Sequence, residues 1–375
     1  MNRFQSVLTT ALVVVLTACQ GGNQSVSLEE HEIELKYATM LAMREGNGYI
    51  AAEFKNPWDS TKVLHRYVLV PKDQELPSNL PEGDIIRTPL SHLLCYVSVH
   101  ASLFNELNVL DAISGLGDAK YIYVDKLQEG LKNGKIKDVG VSKTFDIEKI
   151  IDLNPDAVIL SAMEDQSSYS KLFSLGIPVV ECADYMETGP LERAEWMKFY
   201  GILVGKRAEA DSIFAKIDKE YTDLKELVKD KENKPTVLDG KKLNSTWYVA
   251  GIESTVGRII TDAGGNYVFS DETSNGSVPY SPEAVLARGA DADIWMLKYY
   301  NENTLTYKDV ADDWKGYTQL KAFKNKQVYG VNLDEVPFYM DTPFHPEVLL
   351  KEYIRIFHPD VLPDQSLYYY KPLAD

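Results

Sequence analysis

Apolar and polar positions divide the chain into stretches of different period. Behind a short basic start, Met1-Asn2-Arg3, a polar-poor run extends from Val7 to Leu16. That run is too short to span a bilayer, which takes about 20 residues. It leads into the small residues of Leu16-Thr17-Ala18-Cys19. A basic start, a short apolar core and a small-residue cut site read as a secretory signal over residues 1–18. Residues 19–30 are polar and read as a flexible tether.

Residues 31–70 alternate. Ile33, Leu35, Tyr37 and Thr39 come first, then Tyr49-Ile50-Ala51-Ala52-Glu53-Phe54, then Val63 to Val70. Turn residues sit between them at Glu45-Gly46-Asn47-Gly48 and Asn56-Pro57-Trp58-Asp59. The pattern predicts two or three antiparallel strands, a small β addition over 31–83.

From about residue 84, short apolar segments alternate with helical ones, which predicts α/β layers around parallel sheets. Strands are predicted at Ile85–Pro89, Tyr121–Val124, Ala157–Ser161 and Pro178–Cys182, with a helix over Ser91–Leu107. Thr188 is a candidate cap for a helix with Pro190 in its first turn. Gly205 ends or kinks that segment, because glycine costs about 1 kcal/mol inside a helix. A second helix is predicted from Arg207 to Lys229, with Ile213/Phe214, Ile217, Tyr221, Leu224 and Val228 on one stripe. Later strands are expected at Thr236–Asp239, Thr246–Ala250, Asp293–Lys298 and Gln327–Asn332.

A faint internal repeat adds to this. Residues 146–160, from Asp146-Ile147-Glu148 to Leu160, align without a gap with residues 281–295, from Ser281-Pro282-Glu283 to Trp295. Each copy has a helix cap, a glutamate two residues later, a two-turn helix, an Asp-Ala turn and an apolar strand. The expected fold class is therefore α/β. It has two Rossmann-like lobes with central parallel sheets, at 84–206 and 232–375, joined by one long helix over 207–231. The antiparallel β addition precedes them. A cleft between such lobes is a standard ligand site.

Composition narrows the function. The net charge is −17, and cleavage after residue 18 removes only Arg3, leaving −18. An acidic chain with interspersed charges repels nucleic acid and anionic membrane, so no nucleic-acid partner is expected. With Cys19 at the cut site, Cys95 and Cys182 remain, both in apolar or alternating contexts that suit buried thiols. No G-x-S-x-G, P-loop or H-E-x-x-H occurs, and Asp262-Ala263-Gly264-Gly265-Asn266 reads as a helix end rather than a phosphate loop. The chain is not expected to be an enzyme or to carry a resident cofactor.

Two resemblances follow. Leu16-Thr17-Ala18-Cys19 resembles the lipobox of bacterial lipoproteins. That implies lipidation of Cys19 and an exported, membrane-tethered, periplasm-facing protein of the bacterial cell envelope. "FDIEKIIDLNPDAVIL", "SPEAVLARGADADIW", "LFSLGIPVV" and "FYGILVGKRAEADSIFAKI" are similar to segments of the periplasmic iron-chelate and cobalamin-binding proteins. These are the helix-linked substrate-binding proteins of bacterial ABC importers. The resemblance covers roughly residues 84–358. It implies a monomer with little hinge motion, partnered by an ABC permease and its ATPase. By the family pattern Glu148 and Glu283 would dock on permease arginines; the plainer alternative is that both merely favour a helix N-terminus.

The family's ligand loops would lie at the C-terminal ends of the strands. On that basis His92, Tyr185, Trp247, Tyr248, Tyr280 and Tyr339 are candidate ligand-binding residues. The aromatics could stack on a flat chelate, or serve as packing between the lobes. His92 or Tyr339 could also be an axial ligand to haem iron. The expected cargo is a ferric siderophore, haem or cobalamin. Two alternatives stand beside it: a bare transition-metal ion, for which no tight ligand spacing speaks, and a partner-binding or structural lipoprotein that carries no cargo.

Overall fold

A computed structural model describes residues 30–142 and 144–375. The signal, Cys19 and the tether up to residue 29 lie outside the described residues. Two parallel-sheet lobes, one long helix and an N-terminal β sheet make up the architecture.

The N-terminal sheet has five strands in sequence order: β1 (His31–Ile33), β2 (Leu41–Gly46), β3 (Tyr49–Lys55), β4 (Val63–Pro71) and β5 (Asp84–Thr88). The first four pair antiparallel, and Gly48 at φ +82° takes the left-handed position of the β2–β3 turn. β5 pairs in parallel with β4, Tyr67 opposite Asp84 and Val70 opposite Arg87. The strand expected to open the first α/β lobe at residue 85 is thus the last strand of this sheet.

The first lobe is built on β6 (Leu93–Cys95), β7 (Ile113–Leu116), β8 (Lys137–Asp138), β9 (Ala157–Ser161) and β10 (Val179–Cys182). They run in the order β10-β9-β6-β7-β8, all parallel. Leu93, Leu94 and Cys95 are fully buried at the sheet centre, in the front part of the segment expected to be helical. A short continuous apolar run carries no period to separate strand from helix. Helix α1 (Ser98–Glu106) starts only after it. Tyr121–Val124 forms no strand: Ile122 and Val124 are buried and Tyr121 and Tyr123 exposed, an alternation produced by a loop on the lobe surface. Cys95 and Cys182 are free buried thiols.

Further along are α2 (Ile147–Leu153), α3 (Pro190–Glu195), α4 (Met197–Leu203) and α5 (Arg207–Val228). Gly189 rather than Thr188 precedes α3, with Pro190 in the first turn. Its fixed φ suits that position and its missing N–H costs nothing there. Gly205, at φ +71°, ends α4. The 22 residues of α5 span about 33 Å, burying Ala210, Phe214, Ile217, Tyr221, Leu224 and Val228 along one stripe.

The second lobe carries β11 (Thr236–Asp239), β12 (Lys242–Leu243), β13 (Thr246–Ala250), β14 (Asn266–Tyr267), β15 (Ser277–Tyr280), β16 (Ile294–Tyr299), β17 (Val328–Asn332) and β18 (Lys371–Pro372). Its main sheet runs β14-β11-β16-β17-β18, parallel except for β18. β12, β13 and β15 form a small antiparallel sheet beside it. Helices α6 (Pro282–Gly289), α7 (Phe338–Asp341) and α8 (Pro346–Phe357) complete the elements used below.

The N-terminal sheet is fastened to the first lobe through buried carboxylates. Glu195 accepts the backbone N–H groups of Lys36, Tyr37 and Ala38 at 2.7–2.9 Å. Glu187 accepts those of Thr39 and Met40, together with the Trp196 indole. Phe54 packs edge-on against Tyr67, Trp196 and Phe199 at centroid distances of 4.7–5.0 Å. His65 bridges Glu181 of β10 and Asp84 of β5, each at 2.8 Å. Burial opposes protonation of His65, but the two carboxylates outweigh it and raise its pKa.

Candidate functional site

The C-terminal ends of β6, β7, β11, β16 and β17 open onto a cleft between the lobes with two adjoining chambers. The outer chamber, about 920 Å³, lies between Tyr96–Ser98, Asp118–Tyr123 and Val141–Ser142 of the first lobe and Tyr300 and Leu333–Met340 of the second. The inner chamber, about 700 Å³, extends over the second lobe past Asp239–Leu243, Tyr248, Lys298–Tyr300 and Tyr353, and reaches Arg193. Tyr300, Leu333, Phe338 and Tyr339 line both.

Tyrosines dominate the outer chamber. Tyr121 (52%), Tyr123 (53%), Tyr300 (68%) and Tyr339 (53%) are all at least half exposed. Isolated exposed aromatics are ordinary, but four in one concavity mark a binding surface. They offer flat faces and phenolic hydroxyls from both lobes. Tyr96 lies beneath them, donating its hydroxyl to the Val139 carbonyl at 2.7 Å, and burial raises its pKa. Lys120 sits over the Tyr121 ring at 4.6 Å from the centroid.

In the inner chamber, Lys298 Nζ faces Asp239 Oδ1 at 3.6 Å. Burial alone would favour neutral Lys298, but the Asp239 carboxylate outweighs it and raises the pKa. Lys241 and Lys242 share Asp313 at 3.7 and 3.9 Å. The lobes touch directly beside the cleft. Ser102 of α1 donates to Asp341 of α7 at 2.8 Å. His345 lies between Glu106 of α1 and Glu347 of α8, 2.9 Å from each.

Two of the six expected ligand residues, Tyr248 and Tyr339, line the cleft. Trp247 does not: it is fully buried, its indole donates to the Asp239 carbonyl, and it packs against Trp295 and Tyr317. On a strand, neighbouring residues face opposite ways, so Tyr248 points outward where Trp247 points in. Tyr280 hydrogen-bonds Glu272 and packs on Phe269, outside both chambers. Tyr185 donates to the Ala162 carbonyl and lines neither chamber. His92 is at the wrong end of the sheet: it precedes β6, whose C-terminal end faces the cleft, and its N–H donates to Asp156.

The cleft residues missed in the sequence are Tyr96, Tyr121, Tyr123, Tyr300, Asp239 and Lys298. Lys298 and Asp239 carried a signal, since each stands at the C-terminal end of a segment recognised as a strand. Tyr121 and Tyr123 were masked by being read as part of a strand themselves.

His100, Cys182 and Asp184 bring one potential ligand atom each within 4.8 Å of one another, all buried. Asp184 accepts from His100 Nε2 (3.1 Å), Tyr200 (2.8 Å) and Arg193 Nε (3.0 Å). Burial would raise its pKa, but His100 and Arg193 prevail and lower it. Burial also lifts the Cys182 thiol well above its usual value. The charge of Asp184 is thus already answered by protein groups, and the cluster ties α1, β10 and α3 together.

Glu148 and Glu283 are the second residues of α2 and α6, and both are exposed. The caps before them, Asp146 and Ser281, accept the N–H groups of Lys149 and Ala284. Neither glutamate is in an ion pair among the described residues.

Solved structures share this architecture. A periplasmic haem-binding protein from Pseudomonas aeruginosa superposes with a TM-score of 0.57 at 15% identity, covering 76% of this chain and 98% of that one. The molybdate-binding protein MolA of Haemophilus influenzae gives 0.58 at 14%, covering 74% and 89%. At these identities the likeness shows the fold alone. Two uncharacterized lipoproteins of Methanocaldococcus jannaschii are similar in sequence. One is 30% identical over 357 residues, covering 87% of this chain and 85% of the relative; the other is 26% identical over 321 residues, covering 82% and 80%. Residues 97–333 match the model described as periplasmic binding protein, and the chain therefore belongs to the periplasmic binding protein family.

Proposed function

We propose that the protein is a lipid-anchored substrate-binding protein of an ABC importer, which holds a metal chelate in the inter-lobe cleft and delivers it to a permease. The observation that carries the reading is the cleft itself, with half-exposed tyrosines projecting into it from both parallel-sheet lobes. A ferric siderophore, haem or cobalamin has the size and the flat faces for such a surface. The expected anchor, lipidated Cys19, lies outside the described residues, among which no helix is long and apolar enough to cross a membrane.

The test is calorimetry and native mass spectrometry of the protein with haemin, cyanocobalamin and a ferric siderophore. One of the three is expected to bind one-to-one. Tyr339→Ala should weaken that binding about tenfold to a hundredfold, the roughly 1–3 kcal/mol of a lost aromatic contact. Silence with all three would favour the partner-binding lipoprotein instead.

Docking makes a separate demand. Two exposed carboxylates at equivalent positions of the two lobes suit a two-point clamp on permease cations. The pair Glu148→Ala with Glu283→Ala should leave cargo affinity unchanged and abolish most uptake in cells. Normal uptake by that double variant would leave the two residues as ordinary first-turn glutamates.

A further inference from the structure

Asp239 and Lys298 are left incomplete by the protein itself. Asp239 ends β11, and Lys298 lies on the neighbouring strand β16. Asp239 is 6% exposed, yet its Oδ1 has no hydrogen-bond partner. Lys298 Nζ, 3.6 Å away, is beyond hydrogen-bond distance and makes no other hydrogen bond among the described residues. Both line the inner chamber. A buried carboxylate oxygen without a donor is costly and uncommon in a native fold, and asks what it faces when the site is filled.

The pair constrains that partner. A carboxylate arm would set a second negative charge against Asp239 in a poorly solvated wall. A simple cation would meet the ammonium of Lys298. A neutral group with an N–H donor and a carbonyl acceptor on the same edge satisfies both, one bond to the Asp239 carboxylate and one from Nζ. A primary carboxamide has that edge. A trans secondary amide does not, since its N–H and C=O point in opposite directions. Tyr248 and Tyr339, each at least half exposed, line the same chamber and can pack on the body that carries the arm.

We propose that Asp239 and Lys298 form a donor–acceptor fork that reads a primary carboxamide arm of the cargo. The inference rests on the chelate-binding reading above and deepens it. The preferred cargo is a neutral chelate edged with amides, not one edged with carboxylates.

The experiment is calorimetry of the full mature protein with three probes: cyanocobalamin, its monocarboxylate derivatives in which one amide is hydrolysed, and haemin. Wild type is expected to bind cyanocobalamin best and to lose at least tenfold in affinity for one of the monocarboxylates. Asp239→Asn should weaken cyanocobalamin at least tenfold while narrowing the gap to that acid. Lys298→Met should weaken both. Because the amide-to-acid exchange is made on the ligand, it tests the fork in wild-type protein even if a variant fails to fold.

If haemin is preferred, or if Asp239→Asn folds and changes affinity less than twofold, the fork is overturned while the chelate reading stands. If none of the probes, nor a ferric siderophore, binds, both fall.

Discussion

Glu195→Ala is expected to lower the unfolding free energy by about 3–5 kcal/mol, the cost of breaking a buried charged network by removing one partner. Glu195 is fully buried, and three consecutive backbone N–H groups, those of Lys36, Tyr37 and Ala38, converge on it. Lys198 Nζ is 2.7 Å away and would lose its partner as well. Alanine supplies no acceptor, so several polar groups would be orphaned at once. The loss should be local before it is global: limited proteolysis should cut within residues 31–71 of the variant well before the lobes. A urea midpoint within experimental error of wild type, with the same proteolytic pattern, would show that the sheet is held by its apolar face alone.

The second large effect concerns the contact between lobes and has a pH signature. His345 is held between Glu106 of the first lobe and Glu347 of the second. Burial opposes its protonation, but the two carboxylates outweigh this and lift its pKa from 6.5 to about 10. Asp341 lies close by, hydrogen-bonded to Ser102, with its own pKa raised by burial. A raised histidine pKa stabilises fully below its unfolded value and loses that contribution as pH climbs through the folded value. The stabilisation is therefore complete below about pH 6.5, declines between 6.5 and 10, and is gone above.

We expect His345→Gln to cost roughly 2–3 kcal/mol at pH 6, a value discounted for the partial exposure of the site. The difference from wild type should shrink steadily towards pH 10. Parallel stability curves for the two proteins over pH 6–10 test this; a constant offset would mean that the imidazole contributes packing and not charge. The contact lies beside the inter-lobe cleft, so a variant that loosens it should widen the distribution of inter-lobe distances without altering either lobe by itself.

Much of the fold could be read from local pattern because local pattern produces it. The repeat of cap, first-turn glutamate, short helix and apolar strand at Asp146–Leu160 and Ser281–Trp295 reports two similar units. The apolar stripe from Ala210 to Val228 reports a helix with one buried side. Prolines and glycines mark boundaries where φ or a missing N–H dictates them, as at Pro190 and Gly205. Where the signal was ambiguous, packing decided. Leu93-Leu94-Cys95, expected within a helix, is a strand because it lies between β9 and β7. Ile85–Thr88, expected to open the first lobe, instead pairs with β4 and closes the sheet before it.

By itself, then, the sequence determined the α/β class, the two-lobed plan with its linking helix, and the positions of Glu148 and Glu283 on matching helices. Each follows from periodicity, capping chemistry or an internal repeat within a few dozen residues. Only the tertiary structure decided which side chains share the cleft. Tyr121 and Tyr123 meet Tyr300 and Tyr339 across more than 170 positions of chain, and Trp247 turns inward while Tyr248 turns outward. Burial depends on what packs against each face, a property of no single segment. For the same reason the unfinished pair at Asp239 and Lys298 became visible only once their two strands lay side by side.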